Sequence, residues 1–190
     1  MQKFINWVGC KKKLLPHLLP LIPKKFKTYY EPFLGSGALY LSLMPKKAIL
    51  NDNDTQLIQI WKSILYNPQD FYNKTLAFEN FIYQYPESQQ KQQKEAFKTL
   101  LNQYNLSLTK NKKRLTKASL FFILSKYCFL GILRYKDNTS LYTTFGYKPK
   151  YKTSLLNLNN LITLQKHFQK NKHVLLCVDY QKNNCHHQES

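Results

Sequence analysis

The run Tyr29-Tyr30-Glu31-Pro32-Phe33-Leu34-Gly35-Ser36-Gly37-Ala38 decides how the rest of the chain is read. Its first half is short, aromatic and β-prone, and its second half is a glycine turn. An apolar segment at residues 39–44 follows with helical character and stops at Pro45. Lys47-Ala48-Ile49-Leu50 predicts a second strand, closed by Asn51-Asp52-Asn53-Asp54. From Thr55 onward Leu57, Ile58, Trp61, Ile64 and Leu65 recur at helical spacing, and Asp54 is placed to cap that helix. Strand, glycine turn, helix, strand ending in an acid, helix: this order predicts an α/β fold with a parallel sheet.

The same order carries a chemical possibility. A glycine turn between strand and helix lets backbone N–H groups approach an anionic or carboxylate group. Asp52, 15 residues beyond Gly37, stands where an acid can take both hydroxyls of a ribose. On this segment alone two readings stay open: nucleotide or nucleoside binding, and a plain turn with a helix-capping Asp52.

The remaining chain divides by composition. Residues 68–117 are rich in Gln, Lys, Tyr and Asn and predict two or three polar helices, followed by an apolar helix at 119–133 and a hairpin near 134–148. Residues 155–168 are amphipathic, and residues 173–178 predict a third buried strand. The 190 residues carry 29 Lys and Arg against 10 Asp and Glu, a net charge of +19. Residues 91–152 hold 12 Lys and 2 Arg against Glu95 and Asp137, so +12 lies in about a third of the chain. Polyanions are the partners such a surface selects. With 43% hydrophobic and 15% aromatic residues, the chain is too apolar for a disordered basic tail.

Residues 1–13 lack an apolar leader core, and the apolar run 118–133 is broken by Ser119, Ser125 and Lys126, short of the ~20 residues a spanning helix needs. No membrane partner and a cytoplasmic location are therefore expected. Cys10, Cys128, Cys177 and Cys185 form no CxxC pair, and Cys177 with Cys185, His186 and His187 fits no common zinc spacing. Reduced cysteines and no metal site are expected.

Taken together, Trp7-Val8-Gly9-Cys10-Lys11, Glu31-Pro32-Phe33-Leu34-Gly35-Ser36-Gly37, Asn51-Asp52-Asn53-Asp54, Gly131-Ile132-Leu133-Arg134-Tyr135 and Phe145-Gly146-Tyr147 form an ordered series. The series resembles the Dam-type (class alpha, D12 type) adenine-specific DNA methyltransferases, whose pattern runs W-x-G-G-K, E-P-F-x-G-x-G, N-D-x-N, G-L-x-R-x-N, P-F-G-x-Y. The resemblance implies a Rossmann-like S-adenosylmethionine-dependent sheet, of which the chain holds the first three strands, with a mostly helical target-recognition insert. It divides the chain into a cofactor part (1–66), the insert (67–152) and a return to the α/β domain (153–190).

In that resemblance Trp7, Gly9, Lys11, Pro32, Phe33, Gly35, Gly37 and Asp52 bind S-adenosyl-L-methionine, with Asp52 on the ribose and Trp7 as an aromatic wall. Arg134, Tyr135, Phe145, Gly146, Tyr147 and Lys148 fall to double-stranded DNA, Arg134 being suited to the O6 and N7 of guanine. The implied activity is methyl transfer to the exocyclic amino group of adenine, of restriction-modification type. Alternatives are a non-catalytic DNA-binding remnant, one half of a split methyltransferase, and a basic RNA-associated protein.

Several positions depart from the pattern. Cys10 replaces the second Gly, Asp54 the Asn of N-D-x-N, Lys136 the Asn after Arg134-Tyr135, and Thr144 a Pro, while Leu130 stands where an Asn commonly precedes Gly131. The family's catalytic motif, D/N-P-P-Y/F, is absent, since no Pro follows Pro149. No catalytic residue is therefore assigned, and a C-terminal truncation is expected. Such a truncation leaves the first strand, residues 29–33, at an edge, open to a complementing C-terminal fragment.

Overall fold

Three parallel strands organise the protein: β1 (Tyr29–Glu31), β2 (Ala48–Asn51) and β3 (Val174–Leu176), in the order β1-β2-β3. Tyr30 is paired with Ile49, and Ile49 with Val174. The computed structural model describes residues 4–109, 113–137, 140–147 and 156–180. Because the strands are parallel, the turns after β1 and β2 meet at one edge of the sheet, as sites in open α/β sheets do.

Helix α1 (Leu15–Leu18) is a fragment, flanked by 3-10 turns at Lys11–Leu14 and Leu19–Leu21. Proline explains the break: Pro20 has no N–H for an intrahelical bond and its ring crowds the carbonyl four residues back. Helix α2 (Ala38–Leu43) connects β1 to β2. Helix α3 (Thr55–Tyr66) follows β2, and Asp54 Oδ1 accepts from Leu57 N at 2.8 Å, the cap its sequence announces. The five apolar residues of its periodic stripe are all at most 1% exposed.

The helices α4 (Pro68–Tyr83), α5 (Gln90–Thr109) and α6 (Arg114–Tyr127) pack together, and α6 is buried without a break from Ala118 to Tyr127. A helix buried on every side lies at the centre of a bundle, and α3, α4 and α5 surround this one. Helix α7 (Leu158–Lys170) is capped by Asn157, whose Oδ1 accepts from Asn160 N at 3.1 Å, and buries Leu161, Leu164 and Phe168 before β3.

The expected apolar helix at 119–133 is corrected at both ends: α6 starts at Arg114 and stops at Tyr127. Beyond it the chain pairs with residues 144–146 instead of continuing the helix. Tyr127 O accepts from Gly146 N at 2.8 Å, Phe129 N donates to Thr144 O at 2.8 Å, and Cys128 bridges Phe145 antiparallel. The 3-10 turn Phe129–Gly131 then holds Leu130 at φ 56°, with its side chain 73% exposed. A left-handed conformation costs an L-residue with a Cβ roughly 1–2 kcal/mol, and Asn tolerates it best. Leu130→Asn is therefore expected to stabilise the fold by about 0.5–1 kcal/mol, measured as a higher urea midpoint with an unchanged slope.

His173, just before β3, is 6% exposed. Its Nδ1 lies 3.0 Å from the Tyr40 hydroxyl and its ring centroid 5.0 Å from that of His167. Burial, and then the neighbouring His167, hold its pKa below the ordinary histidine value. A histidine depressed in this way takes up its proton more readily in the unfolded chain. The associated stability is complete above the unfolded histidine pKa of about 6.5 and is lost as pH falls from there toward the folded value. Acidification through that window is expected to lower the Tm by a few degrees, at about 2–4 °C per kcal/mol for this size. His173→Phe is expected to shrink that fall.

Candidate functional site

The site is built on the turn after β1. Leu34 N donates to Asn51 O at 2.8 Å and Gly37 N to Leu34 O at 2.8 Å, folding the chain back so that α2 begins at once. Gly37, at φ 65°, precedes α2, and a Cβ there would lie 2.4 Å from Trp61 Cζ2. Conformation and close approach both require glycine. Trp61 is wholly buried under the turn, and its Nε1 donates to Gly35 O at 3.0 Å.

Asp52 closes the turn from the β2 side. Its Oδ2 accepts from Gly35 N at 2.8 Å and its Oδ1 from Asp54 N at 3.1 Å. A carboxylate offers about four lone-pair directions, so this one retains acceptor capacity toward the cavity in front of it. That cavity, about 210 Å³, is lined by Trp7, Gly9, Lys11, Phe33, Gly35 and Asp52 among others. Six of the eight residues expected to bind a cofactor thus share one cavity. The other two sit behind it: Pro32 O accepts from Asn51 Nδ2 at 3.1 Å, and Gly37 lies over Trp61.

Lys11, expected among the cofactor-binding residues, lines this cavity and is also anchored to the protein. Its Nζ lies 3.1 Å from Glu31 Oε1 and also donates to Phe33 O. Glu31 is 4% exposed, and its second oxygen accepts from the Tyr29 hydroxyl at 2.8 Å. Burial raises the Glu31 pKa while Lys11 opposes the rise. Lys11 therefore secures the strand end and the Pro32–Phe33 step on which the cavity wall rests. Cys10 occupies an ordinary extended conformation, φ −56°, so the position does not demand the family's glycine, and Ser36 Oγ donates to its sulfur at 3.0 Å.

Two contributors, Asn51 and Tyr180, were given no role of their own in the sequence. Asn51 is 2% exposed, and its side chain donates to Pro32 O and Val178 O and accepts from Val178 N at 3.1 Å, tying the ends of β1 and β3 together. The segment beyond β3 is thereby turned toward the site, where the Tyr180 ring lies 5.0 Å from that of Phe33. Only the invariant chemistry of an amide, donor and acceptor on one group, could have hinted at this for Asn51.

Trp7 also lines a second cavity, about 180 Å³, whose far wall includes Asp54, Ser125, Leu133 and Tyr135. Tyr135 bridges Leu141 antiparallel, and Arg134 O accepts from Tyr142 N. Arg134 and Tyr135 are exposed, and burial of the Tyr135 hydroxyl together with Asp54 pushes its pKa up to about 12. Phe145 and Gly146 point the other way. The Phe145 ring lies 5.4 Å from Phe97 of α5, and a Cβ on Gly146 would meet Phe129 Cα at 2.7 Å. Both hold the returning strand onto the helices. Tyr147 is half-buried, and Lys148 lies outside the described residues, as do Cys185, His186 and His187. Among the described residues no group of three His, Cys, Asp or Glu is placed to hold a metal, and no helix is long and apolar enough to cross a membrane.

Residues 7–190 match the sequence profile of the D12 class N6 adenine-specific DNA methyltransferases. The chain belongs to this family. Among relatives, the chain is 41% identical over 69 residues to the type II methyltransferase M1.LlaDCHI of Lactococcus lactis subsp. cremoris, covering 36% of the chain and 24% of that protein. It is 25% identical over 194 residues to the type II methyltransferase M.MjaIII of Methanocaldococcus jannaschii, covering 95% of the chain and 63% of that protein. The DNA adenine methylase of Haemophilus influenzae is 24% identical over 181 residues, covering 94% of the chain and 57% of that protein. The D12 chain thus spans less than two thirds of the length of each of these three relatives.

Proposed function

We propose that this D12 chain binds S-adenosylmethionine between Trp7, Gly35 and Asp52 and presents it to double-stranded DNA held by the basic helical insert, for methylation of adenine of the restriction-modification type. The observation that carries the reading is the Asp52 carboxylate hydrogen-bonded to the Gly35 N–H across the cavity wall. The donor set suits the cofactor: a carboxylate with spare acceptors for ribose hydroxyls, aromatic faces at Trp7 and Phe33, and a glycine turn for the methionine end. When bound, S-adenosylmethionine supplies an electrophilic methyl group on a positively charged sulfur.

The protein's own part in this reading is binding and orientation. Asp52 fixes the ribose, Trp7 covers the cofactor on the side facing the second cavity, and Lys11 with Glu31 keeps the turn rigid. Arg134, exposed on the first strand of the 134–142 turn, reads or grips the duplex, while Phe145 and Gly146 brace that turn on α5 and α6. The two hydrogens of the adenine amine need acceptors, a task the family gives to the D/N-P-P-Y/F motif, and these 190 residues contain no such motif. A segment carrying it, added beside the edge strand β1, completes the proposed enzyme, whose setting is cytoplasmic.

The test is methyl transfer from labelled S-adenosylmethionine to DNA, with and without a separately supplied D12 segment containing the motif. Transfer only on complementation supports the proposal. No transfer on complementation, with salt-sensitive DNA binding retained, leaves a non-catalytic DNA-binding protein.

A further inference from the structure

Residues 91–152 carry +12 of the net charge, and residues 1–47, with nine Lys and Glu31, carry +8. The fold gathers much of this second share at one place. Lys24, Lys25 and Lys27 lead into β1, Lys46 and Lys47 into β2, and Lys170 and Lys172 into β3. Parallel strands all begin at the same edge of a sheet, so three segments distant in sequence are set side by side. One backbone and one side-chain contact bind them there: Tyr29 N donates to Lys47 O at 2.9 Å, and His167 Nε2 lies 3.1 Å from Pro45 O.

All seven lysines are exposed. Residues 17–28, 45–47 and 166–173 contain no Asp or Glu, and among the described residues none of the seven lies within ion-pair distance of a carboxylate. Like charges so assembled repel one another unless a polyanion neutralises them. The face has the dimensions of a nucleic-acid backbone: three strands ~4.8 Å apart span ~10 Å, against ~3.4 Å per phosphate along one DNA strand. It lies at the strand edge opposite the one where Gly35 and Asp52 meet.

We infer that this lysine face is a second phosphate-backbone site, which holds a DNA segment other than the one presented to the cofactor cavity. That the polyanion is DNA rests on the methyltransferase reading; the assembly of the face does not. Its effect is to keep the protein on long DNA while the insert samples sequence.

The full chain is titrated at low salt with duplexes of about one helical turn, ~10 base pairs, and with long duplex across a salt series. Wild type is expected to take two short duplexes per chain. The variant with all seven lysines changed to Gln is expected to take one, to bind S-adenosylmethionine as wild type does, and to lose about 3 or more from the salt slope on long DNA, at ~0.9 per phosphate released. Arg134→Ala is expected to weaken the other duplex and leave this one. Saturation of wild type at one duplex, with an unchanged slope in the variant, overturns the inference. Capture of polyglutamate but not of duplex by the face also overturns it, in favour of an acidic protein partner. Two duplexes bound by a chain that binds no cofactor leave the lysine face standing and remove the methyltransferase reading instead.

Discussion

Asp52→Ala is expected to weaken S-adenosylmethionine binding about 100-fold, measured by calorimetric titration. Two hydrogen bonds from ribose hydroxyls to an ionised carboxylate contribute roughly 1.5 kcal/mol each at the low end, and ~2.8 kcal/mol is a factor of ~100 in affinity. The substitution also strips acceptors from Gly35 N and Asp54 N, so a modest drop in stability accompanies it. Asp54→Asn separates the two effects. It sits on the same turn and still caps α3, and it is expected to leave affinity within about threefold, a neutral amide being nearly as good a cap. An Asp52→Ala protein that folds and binds the cofactor like wild type would remove Asp52 from the site.

The largest effect on stability is expected at Glu79, deep between α4 and α6. Its Oε1 lies 2.5 Å from Lys126 Nζ and accepts from the Tyr127 hydroxyl, with side-chain exposures of 10% for Glu79 and 4% for Lys126. Removing one member of a buried pair costs about 3–5 kcal/mol, because the remaining charge stays desolvated without its counterion. Glu79→Ala is therefore expected to lower the Tm by roughly 10 °C at 2–4 °C per kcal/mol. Replacing both partners, as Glu79→Leu with Lys126→Met, is expected to recover most of that loss, since an apolar pair of similar volume avoids the desolvation. Equal destabilisation by the single and double changes would show that the cost lies in packing.

These two predictions mark how far the sequence could be read. The β1 turn, α2, β2 and α3 were readable because their signals are local: glycine beside a strand, Asp54 before a periodic apolar stripe, Asp52 closing the second strand. So was the gathering of the N-terminal motif, the glycine turn and Asp52 around one cavity, the proposed cofactor site. The end of α6 was not readable, because apolar residues continue through Leu133 and periodicity cannot separate a buried helix from an extended segment in such a run. The Glu79–Lys126 pair spans 47 positions, and Asn51 meets Val178 across 127. No local pattern announces either bond. Lys11 was placed at the cofactor only by the family resemblance, and its contacts to Glu31 and the Phe33 carbonyl, 20 and 22 positions away, had no local signal.

The central claim is that the cavity between Trp7 and Asp52 is a cofactor site. Equilibrium titration of the 190-residue chain with labelled S-adenosylmethionine tests it most directly. The account predicts saturation at one molecule per chain, displacement by S-adenosylhomocysteine, and loss of binding in Asp52→Ala. A folded chain that binds neither compound, or that binds them equally well without Asp52, would contradict it.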